Sequence, residues 1–314
     1  MGNKIATREA YGKALVKLSN LNENVVVLDA DLSKSTKTAE FKAVAPERFI
    51  NMGIAESNMM GVAAGLSTCG KIPFASTFAM FAAGRAFEQI RNSICYPKLN
   101  VKICATHAGL TVGEDGATHQ SVEDISLMRS IPNMTVINPA DAVETEAAIL
   151  AIANYNGPCY VRLGRLAVSV INDEANYKFE IGKGITLAEG KDVTIVATGM
   201  MVELALEAKD LLAKEGINAT VINIHTIKPI DTELLVNAAK ETGAIVTAEE
   251  HSVIGGLGSA VSEVVTERYP VPVLKVGIND TFGESGKPNE LLQAYGLTTE
   301  NIVKRAKEAI SLKK

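Results

Sequence analysis

Aromatic residues are scarce in this sequence: among 314 residues there are 7 tyrosines, 8 phenylalanines and no tryptophan. Proteins that bind single-stranded nucleic acid usually stack bases on aromatic side chains, so the scarcity argues against such a surface. The net charge is −5 and no block of basic residues occurs, which argues against any strong attraction to nucleic acid. Nucleic acid is therefore not the expected partner.

Cysteine is also rare, and its four copies lie far apart at positions 69, 95, 104 and 159. No C-x-x-C pair is present, so the sequence indicates neither a zinc site nor a disulfide framework. The first residues, MGNKIATREA, lack the apolar segment of a signal peptide, and no apolar run is long enough to cross a bilayer. We therefore expect a reduced, cytoplasmic protein.

Apolar runs of strand length alternate with helical patterns in both halves of the chain. Continuous apolar strands such as 25–28 are typical of parallel sheets that helices cover on both faces. The pattern is interrupted over 166–191 and restarts at Val193, so that stretch is interpreted as a connection. The predicted fold is α/β, with two doubly wound, mainly parallel-sheet domains at 1–170 and 191–314 and a linker at 171–190.

The stretch from Ile103 to Asp124, ICATHAGLTVGEDGATHQSVED, is polar and contains two of the four histidines, His107 and His119. Its glycines permit positive φ and a close approach of the backbone to a ligand. Apolar elements flank it on both sides, and polar loops on a rigid scaffold often carry binding and chemistry. The stretch predicts a ligand site, with an ordinary solvated loop as the alternative.

Glu56 is the only carboxylate in a small-residue segment, 51–67, that reads as a helix apolar nearly all round and therefore buried. An acid near a helix start can simply be stabilised by the helix dipole, or it can be a buried functional acid. The spacing does not decide between the two.

Two further features have ordinary structural interpretations. Phe78 and Phe81, three residues apart, are typical of a core pair. The glycines at 255–258 lack the G-x-G-x-x-G order, which favours close packing at a helix start over nucleotide binding.

Two segments resemble motifs of the thiamine-diphosphate enzymes, and of transketolases in particular. Gly113–Gln120, GEDGATHQ, resembles the GEDGPTHQP signature, with Ala117 in place of proline, and Gly53–Glu56 resembles the G-I-x-E segment. The resemblance extends over essentially the whole chain, as the pyrimidine-binding domain followed by the C-terminal domain. It implies thiamine diphosphate as cofactor and transfer of a two-carbon ketol unit from a ketose phosphate to an aldose phosphate.

The resemblance also implies roles for individual residues. Glu56 would be the catalytic acid that bonds the pyrimidine N1′ of the cofactor, with His107 and His119 taking part in proton movement. The expected cofactor contacts are Asp31, Glu56, Phe78 and Phe81. The expected substrate contacts are Arg8, Ser35, His107, Asp115, His119 and Arg165. Gly84 stands where many family members have a third stacking aromatic, and Arg162 is either a second cation there or a structural ion pair.

The G-D-G motif that anchors the diphosphate through Mg²⁺ in this family is missing, and the one Asp-Gly is Asp115-Gly116. No metal ligand is therefore expected here. A deliberately shortened chain, a degenerate homologue and one chain of a split enzyme all fit this pattern. The start at Met1 and the intact Glu56 favour the split enzyme, with an N-terminal subunit supplying the Mg²⁺ ligands and two copies of each chain around a two-fold axis.

Two alternatives remain at this level. The segment His225–Asp231, HTIKPID, is shared with the beta subunits of 2-oxo-acid dehydrogenases, which have the same two domains. The GEDGATHQ signature argues against that enzyme. A non-catalytic regulatory subunit that only binds a transketolase-like partner is the other alternative, and its expected mark would be degraded site residues.

Overall fold

The computed structural model describes residues 4–313. The strands are β1 Lys4–Ala6, β2 Val25–Asp29, β3 Phe49–Asn51, β4 Ile72–Phe78, β5 Lys102–Thr106, β6 Thr135–Ile137, β7 Cys159–Arg162, β8 Ala167–Ser169, β9 Ile185–Ala188, β10 Val193–Ala197, β11 Ala219–Asn223, β12 Thr226–Lys228, β13 Ile245–Ser252 and β14 Val273–Ile278. The α-helices are α1 Thr7–Leu21, α2 Ser33–Thr36, α3 Thr38–Val44, α4 Glu56–Thr68, α5 Phe87–Gln89, α6 Asp124–Ser130, α7 Ala142–Asn154, α8 Met201–Lys214, α9 Thr232–Thr242, α10 Leu257–Arg268, α11 Pro288–Ala294 and α12 Thr299–Ser311.

The first sheet has the strand order β12-β6-β7-β5-β4-β2-β3, and every pairing except that of β12 is parallel. Its central strands are apolar on both faces because both faces are covered. Val25 and Val27 pack with α1, α3 and α7, whereas Val26 and Leu28 pack with the α4 side. The continuous apolar runs in the sequence follow from this double coverage.

The second sheet has the order β14-β13-β10-β11-β9, parallel except for the edge strand β9. Residues of α8 and α12 share one apolar cluster with it, and residues of α9 and α10 share the other. The predicted class, two doubly wound α/β domains, is therefore confirmed.

The two sheets are joined more closely than a simple linker would require. Strand β12, from the second half of the chain, pairs antiparallel with β6 at the edge of the first sheet. The segment 171–190, expected as a connection, contains the edge strand β9, and one apolar cluster runs through both halves. Strands this short carry too few residues for alternation to be visible in the sequence.

The helix predicted over 51–67 differs in two ways from the expectation. Residues 49–51 form β3, and α4 begins at Glu56. Only one side of α4 is buried, through residues such as Met59 and Met60, while Gly61 and Gly65 are exposed. An all-apolar helix predicts burial of every face, so this helix presents an uncovered face on the single chain.

The helical segment 81–95 is irregular, because π-helical turns at Phe81–Arg85 and Ile90–Cys95 flank the short α5. Wider turns of this kind commonly occur at functional sites.

Within residues 4–313, no helix combines the length and apolar character that crossing a membrane requires.

Candidate functional site

The expected site residues gather at the carboxyl edge of the first sheet. Asp31 follows β2, Phe78 ends β4, His107 follows β5, and Arg165 follows β7. Parallel strands place their carboxyl ends at one edge of a sheet, and ligands of open α/β sheets bind there. The topology therefore brings together residues that are more than a hundred positions apart.

His107 lies at the centre of this edge and is buried, with a left-handed backbone at φ 57°. Its ring stacks on Phe78, with centroids 3.9 Å apart, and its Nδ1 lies 2.9 Å from the Thr106 hydroxyl. Arg8 Nη1 lies 3.3 Å from His107 Nε2. A guanidinium can only donate, so Nε2 accepts and the proton is assigned to Nδ1. Burial, with Arg8 and Arg165 nearby, lowers the pKa of His107 to about 3.

His107 is therefore expected to stay neutral throughout the physiological range. In an NMR titration of the chain, its imidazole signals should not move between pH 8 and pH 5, whereas a solvated histidine has a pKa near 6.5. The His107→Gln variant identifies the signals. A titration midpoint above pH 5 would contradict the proposed packing against Phe78 and Arg8.

Two arginines adjoin His107 and form a cationic cluster. The start of α1 is tied to the end of β7, because Gly164 N donates to Thr7 Oγ1 at 2.7 Å, and this places Arg8 near Arg165. Arg8 Nη1 donates to the Ser35 carbonyl at 2.9 Å. Its Nε is buried and has no hydrogen-bond partner within residues 4–313. A buried donor without a partner is costly, so this atom is suited to an anionic ligand.

Arg165 is partly paired with residues of the loop 107–123, which is called the signature loop because it contains the GEDGATHQ signature. Its Nη1 donates to the Val112 carbonyl and lies 3.7 Å from Glu114 and 3.8 Å from Asp115. These two carboxylates are exposed, so the ion pairs are weak and an incoming anion can compete with them. The structure thus places Asp115 beside Arg165.

Asp29, which no sequence motif indicated, orders the loop after β2 together with the short helix α2 that contains Ser35. This buried carboxylate accepts from Leu32 N, Thr36 Oγ1 and Thr38 Oγ1 at 2.6–2.9 Å. Asp31 has left-handed φ of 65° and is exposed, and its Oδ1 accepts from Asn51 Nδ2 at 2.9 Å. Asp29 therefore shapes the loop, while Asp31 remains open to a ligand.

Glu56 begins α4, and 4 % of the residue is exposed. Arg85 Nη1 lies 3.1 Å from its Oε1, whereas its Oε2 makes no hydrogen bond within the described chain. The Arg85 guanidinium also lies over the Phe81 ring, 4.2 Å from the centroid. Glu56 is thus both a first-turn acid and a buried acid, and one oxygen is left for another partner.

Phe78 and Phe81 form one aromatic wall, with ring centroids 5.7 Å apart and planes 18° apart. His119 meets the edge of Phe81 at 5.3 Å, and its Nδ1 lies 2.9 Å from the Thr118 hydroxyl. At Gly84 a Cβ would lie 2.5 Å from Met80 Cε, so a larger residue would require Met80 to move. Arg85, rather than a third aromatic, covers Phe81.

The structure therefore brings most of the expected residues into one connected cluster. Its members are Arg8, Ser35, Phe78, Phe81, His107, Asp115, His119 and Arg165, with Glu56 joined through Arg85. Asp31 lies on the same edge and contacts Asn51 instead. Arg85 was not expected in this cluster, although its place four positions after Phe81 on one helical segment was a usable signal.

Arg162 is a structural residue, which resolves the alternative that the sequence left open. It is buried, and its Nε donates to Asp124 Oδ2 at 2.9 Å. The glycines at 255–258 serve close packing, as expected: a Cβ at Gly256 would lie 2.0 Å from Glu249 Oε2, and that carboxylate accepts from the amides of Leu257 and Gly258.

Among residues 4–313, no group of three or more His, Cys, Asp and Glu side chains is placed to hold a metal ion. A groove of about 800 Å³ lies beside α1 and α7, and none of the clustered site residues lines it. The candidate site itself is open on the side of α4 and Arg85, where Ile54 is 77 % exposed.

Comparison with known proteins matches the two halves of the chain to two domain families. The transketolase pyrimidine-binding domain matches residues 3–170, and the transketolase C-terminal domain matches residues 182–302. A protein described as a transketolase C-terminal section from Methanocaldococcus jannaschii is 55 % identical over 303 residues, which are 96 % of this chain and 95 % of that protein.

A 6-deoxy-6-sulfo-D-fructose transketolase subunit from Clostridium sp. (strain MSTE9) is 45 % identical over 306 residues, covering 98 % of this chain and 95 % of that protein. A solved structure described as a split gene transketolase in an inactive beta4 tetramer is 62 % identical, with a TM-score of 0.93. The match covers 99 % of this chain and 100 % of that one.

Proposed function

The chain belongs to the transketolase family, and from this premise we propose that it is the catalytic-glutamate subunit of a two-chain transketolase. It would transfer a two-carbon ketol unit from a ketose phosphate to an aldose phosphate. One observation carries the proposal: buried Glu56 and the Phe78–Phe81 wall lie at the same sheet edge as the Arg8–His107–Arg165 cluster. A site for an aromatic cofactor and a site for an anionic substrate thus adjoin each other.

The residues present fit the aminopyrimidine half of thiamine diphosphate. Glu56 has an oxygen without a hydrogen bond, and the aromatic wall offers a flat apolar surface beside the guanidinium that holds Glu56. When bound, the cofactor supplies a carbon nucleophile that can attack a carbonyl group. Glu56 would hold a proton at the pyrimidine N1′, Phe78 and Phe81 would stack on the ring, and Asp31 would face the cofactor side.

The cationic cluster fits the phosphate of a sugar substrate. Arginine binds phosphate bidentately and remains charged, and Arg8 has a buried Nε without a partner. His107, being neutral, can donate or accept a hydrogen bond without changing the charge of the site. Asp115 and His119 would contact hydroxyl groups and the carbonyl end of the sugar.

Replacing Arg8 by methionine is expected to weaken the binding of the sugar phosphate. A hydrogen bond to a charged group contributes about 1.5–3 kcal/mol, which predicts a rise in KM of roughly 10- to 100-fold with a smaller change in kcat. Arg48→Met, away from the site, is the control, since Arg48 binds the carbonyls of Ser19 and Asn22. An unchanged KM would remove Arg8 from the substrate site.

A partner subunit would cover the exposed face of α4 and complete the cofactor site. Gly61 and Gly65 are exposed there, and an added Cβ at either would meet nothing within 4 Å, so this face is open to close helix packing. The partner would carry the G-D-G motif, the Mg²⁺ ligands and the diphosphate clamp, with two copies of each chain expected. Because a similar chain is described as an inactive beta4 tetramer, self-association of this chain would compete with the partner.

The test is reconstitution. The purified chain, a G-D-G subunit and the mixture are each assayed for ketol transfer with thiamine diphosphate and Mg²⁺, and their sizes are measured by gel filtration. Activity is expected only in the mixture, together with a new hetero-oligomer. Full transfer by this chain alone would overturn the partner requirement. Turnover of pyruvate with a lipoyl acceptor, or cofactor-dependent assembly without transfer, would favour the dehydrogenase or regulatory alternative.

A further inference from the structure

A carboxylate from the second domain reaches into the signature loop. Glu250 lies on β13 and is 5 % exposed, and its Oε1 accepts from the Thr111 amide at 2.7 Å. The loop backbone is shaped around this group: Gly109 has φ of +81°, and a Cβ there would lie 2.3 Å from Glu250 Cδ. Only glycine accommodates both the conformation and the contact.

Glu250 is itself held in place from the first domain. Arg162 Nη2 donates to the Glu250 carbonyl at 2.9 Å, and its Nη1 lies 4.0 Å from Glu250 Oε2. Arg162 is in turn paired with buried Asp124. A fully buried network of this kind restricts the carboxylate to one position.

The other end of the loop is held by a different segment of the same domain. Gln120 Nε2 donates to the Glu284 carbonyl at 2.9 Å. Gly116 packs against Ser285, where a Cβ would lie 2.4 Å from the hydroxyl oxygen, and Gly113 packs against Pro288 at the start of α11. The loop is therefore bounded on both ends by the C-terminal domain.

We propose that the C-terminal domain positions the signature loop, with Glu250 as the positioning residue that acts through Thr111. Only a few residues of the loop separate the Glu250 contact from the candidate site. Thr111 is followed by Val112, whose carbonyl accepts from Arg165, and Gly109 is two positions after His107. A shift of the Thr111 amide would displace both the cation and the histidine that we assign to the substrate.

The proposal is tested by amide hydrogen exchange on the chain alone. In Glu250→Ala the Thr111 amide is expected to exchange at least 10-fold faster, because its charge-assisted bond is lost. Glu250→Gln keeps an acceptor oxygen and should restore exchange to within about threefold of the wild type. Amides of β11 serve as the internal reference for an intact fold, and Glu263→Ala, an exposed glutamate of the same domain, is the matched control.

The effect on catalysis rests on the proposed function and is measured separately in the reconstituted enzyme. Glu250→Ala should raise the KM for the sugar phosphate by roughly 10-fold with a smaller loss of kcat, and Glu250→Gln should bring the KM most of the way back to the wild-type value.

Unchanged Thr111 exchange in Glu250→Ala would overturn the inference, as would a KM that does not rise. If Glu250→Ala does not fold, the wild-type chain still provides a test. The inference would be overturned if the Thr111 amide exchanged no more slowly than the amide of exposed Glu114. Failure of every sample to transfer a ketol unit would refute the proposed function. The exchange result would still test the contact between Glu250 and Thr111 independently of catalysis.

Discussion

Replacing Glu56 by glutamine is expected to remove most of the ketol-transfer activity, by about 10²- to 10⁴-fold, which is the usual contribution of one acid or base. Glutamine has nearly the same shape and can still bond Arg85, but its amide cannot give up or share a proton with the pyrimidine ring. Arg85 is 55 % exposed, so losing the charge of its partner should cost little stability. The measurement is kcat in the reconstituted enzyme.

Two controls separate a chemical role of Glu56 from a structural one. Glu47→Gln makes the same change at an exposed residue that pairs with neighbouring Arg48, and its activity should equal that of the wild type. Thermal unfolding of Glu56→Gln should match the wild type within a few degrees. Near-normal turnover by Glu56→Gln would refute the central assignment of this site.

Replacing Arg162 by methionine is expected to lower the free energy of unfolding by about 3–5 kcal/mol, the typical cost of breaking a buried ion pair. Both partners are almost wholly enclosed, since the side chains of Arg162 and Asp124 are 4 % and 0 % exposed. Methionine leaves the buried Asp124 carboxylate with the Tyr160 hydroxyl as its one remaining side-chain donor among residues 4–313, and it removes the bond from Arg162 to the Glu250 carbonyl. Urea unfolding followed by circular dichroism measures the change.

Arg305→Met is the matched control, because Arg305 pairs with Glu308 one turn away on the surface of α12. Such a pair contributes at most about 1 kcal/mol. Adding Asp124→Asn to Arg162→Met should recover part of the loss, since the buried charge is then removed. A loss below 1 kcal/mol in Arg162→Met would mean that Arg162 is not the internal cation described here.

Several elements could be read from the sequence because local signals agreed with the tertiary structure. Helices α7 and α8 and strands β6, β7 and β10 coincide with apolar runs or periodic stretches of the sequence. Asp231 caps α9 by accepting from Leu234 N at 3.1 Å, as its position before the helix predicts. The short strands β1, β8, β9 and β12 could not be read, because their partners are distant and their length hides any alternation.

The sequence predicted the residues of the candidate site but not their arrangement. The signature loop and the G-I-x-E segment pointed to His107, Asp115, His119 and Glu56, and Glu56 lies far from the other three in the chain. The contact between Glu56 and Arg85 depends on how α4 packs against the π-helical turn after β4. Glu250 left no signal, since a buried acid in a strand looks like any other polar residue until its neighbours are known.

The sequence by itself determined that this chain is a two-domain α/β protein with an acid, an aromatic pair and a polar loop, because those features are local and periodic. Tertiary structure alone decided which cations can pair with a ligand. Arg8 has a buried Nε with no hydrogen-bond partner in the described chain, whereas Arg162 forms a buried ion pair with Asp124. Tertiary structure also decided that α4 leaves one face uncovered and that Glu250 of the C-terminal domain holds the signature loop. The physical reason is that burial and charge pairing depend on distances between residues remote in the chain, which no local pattern records.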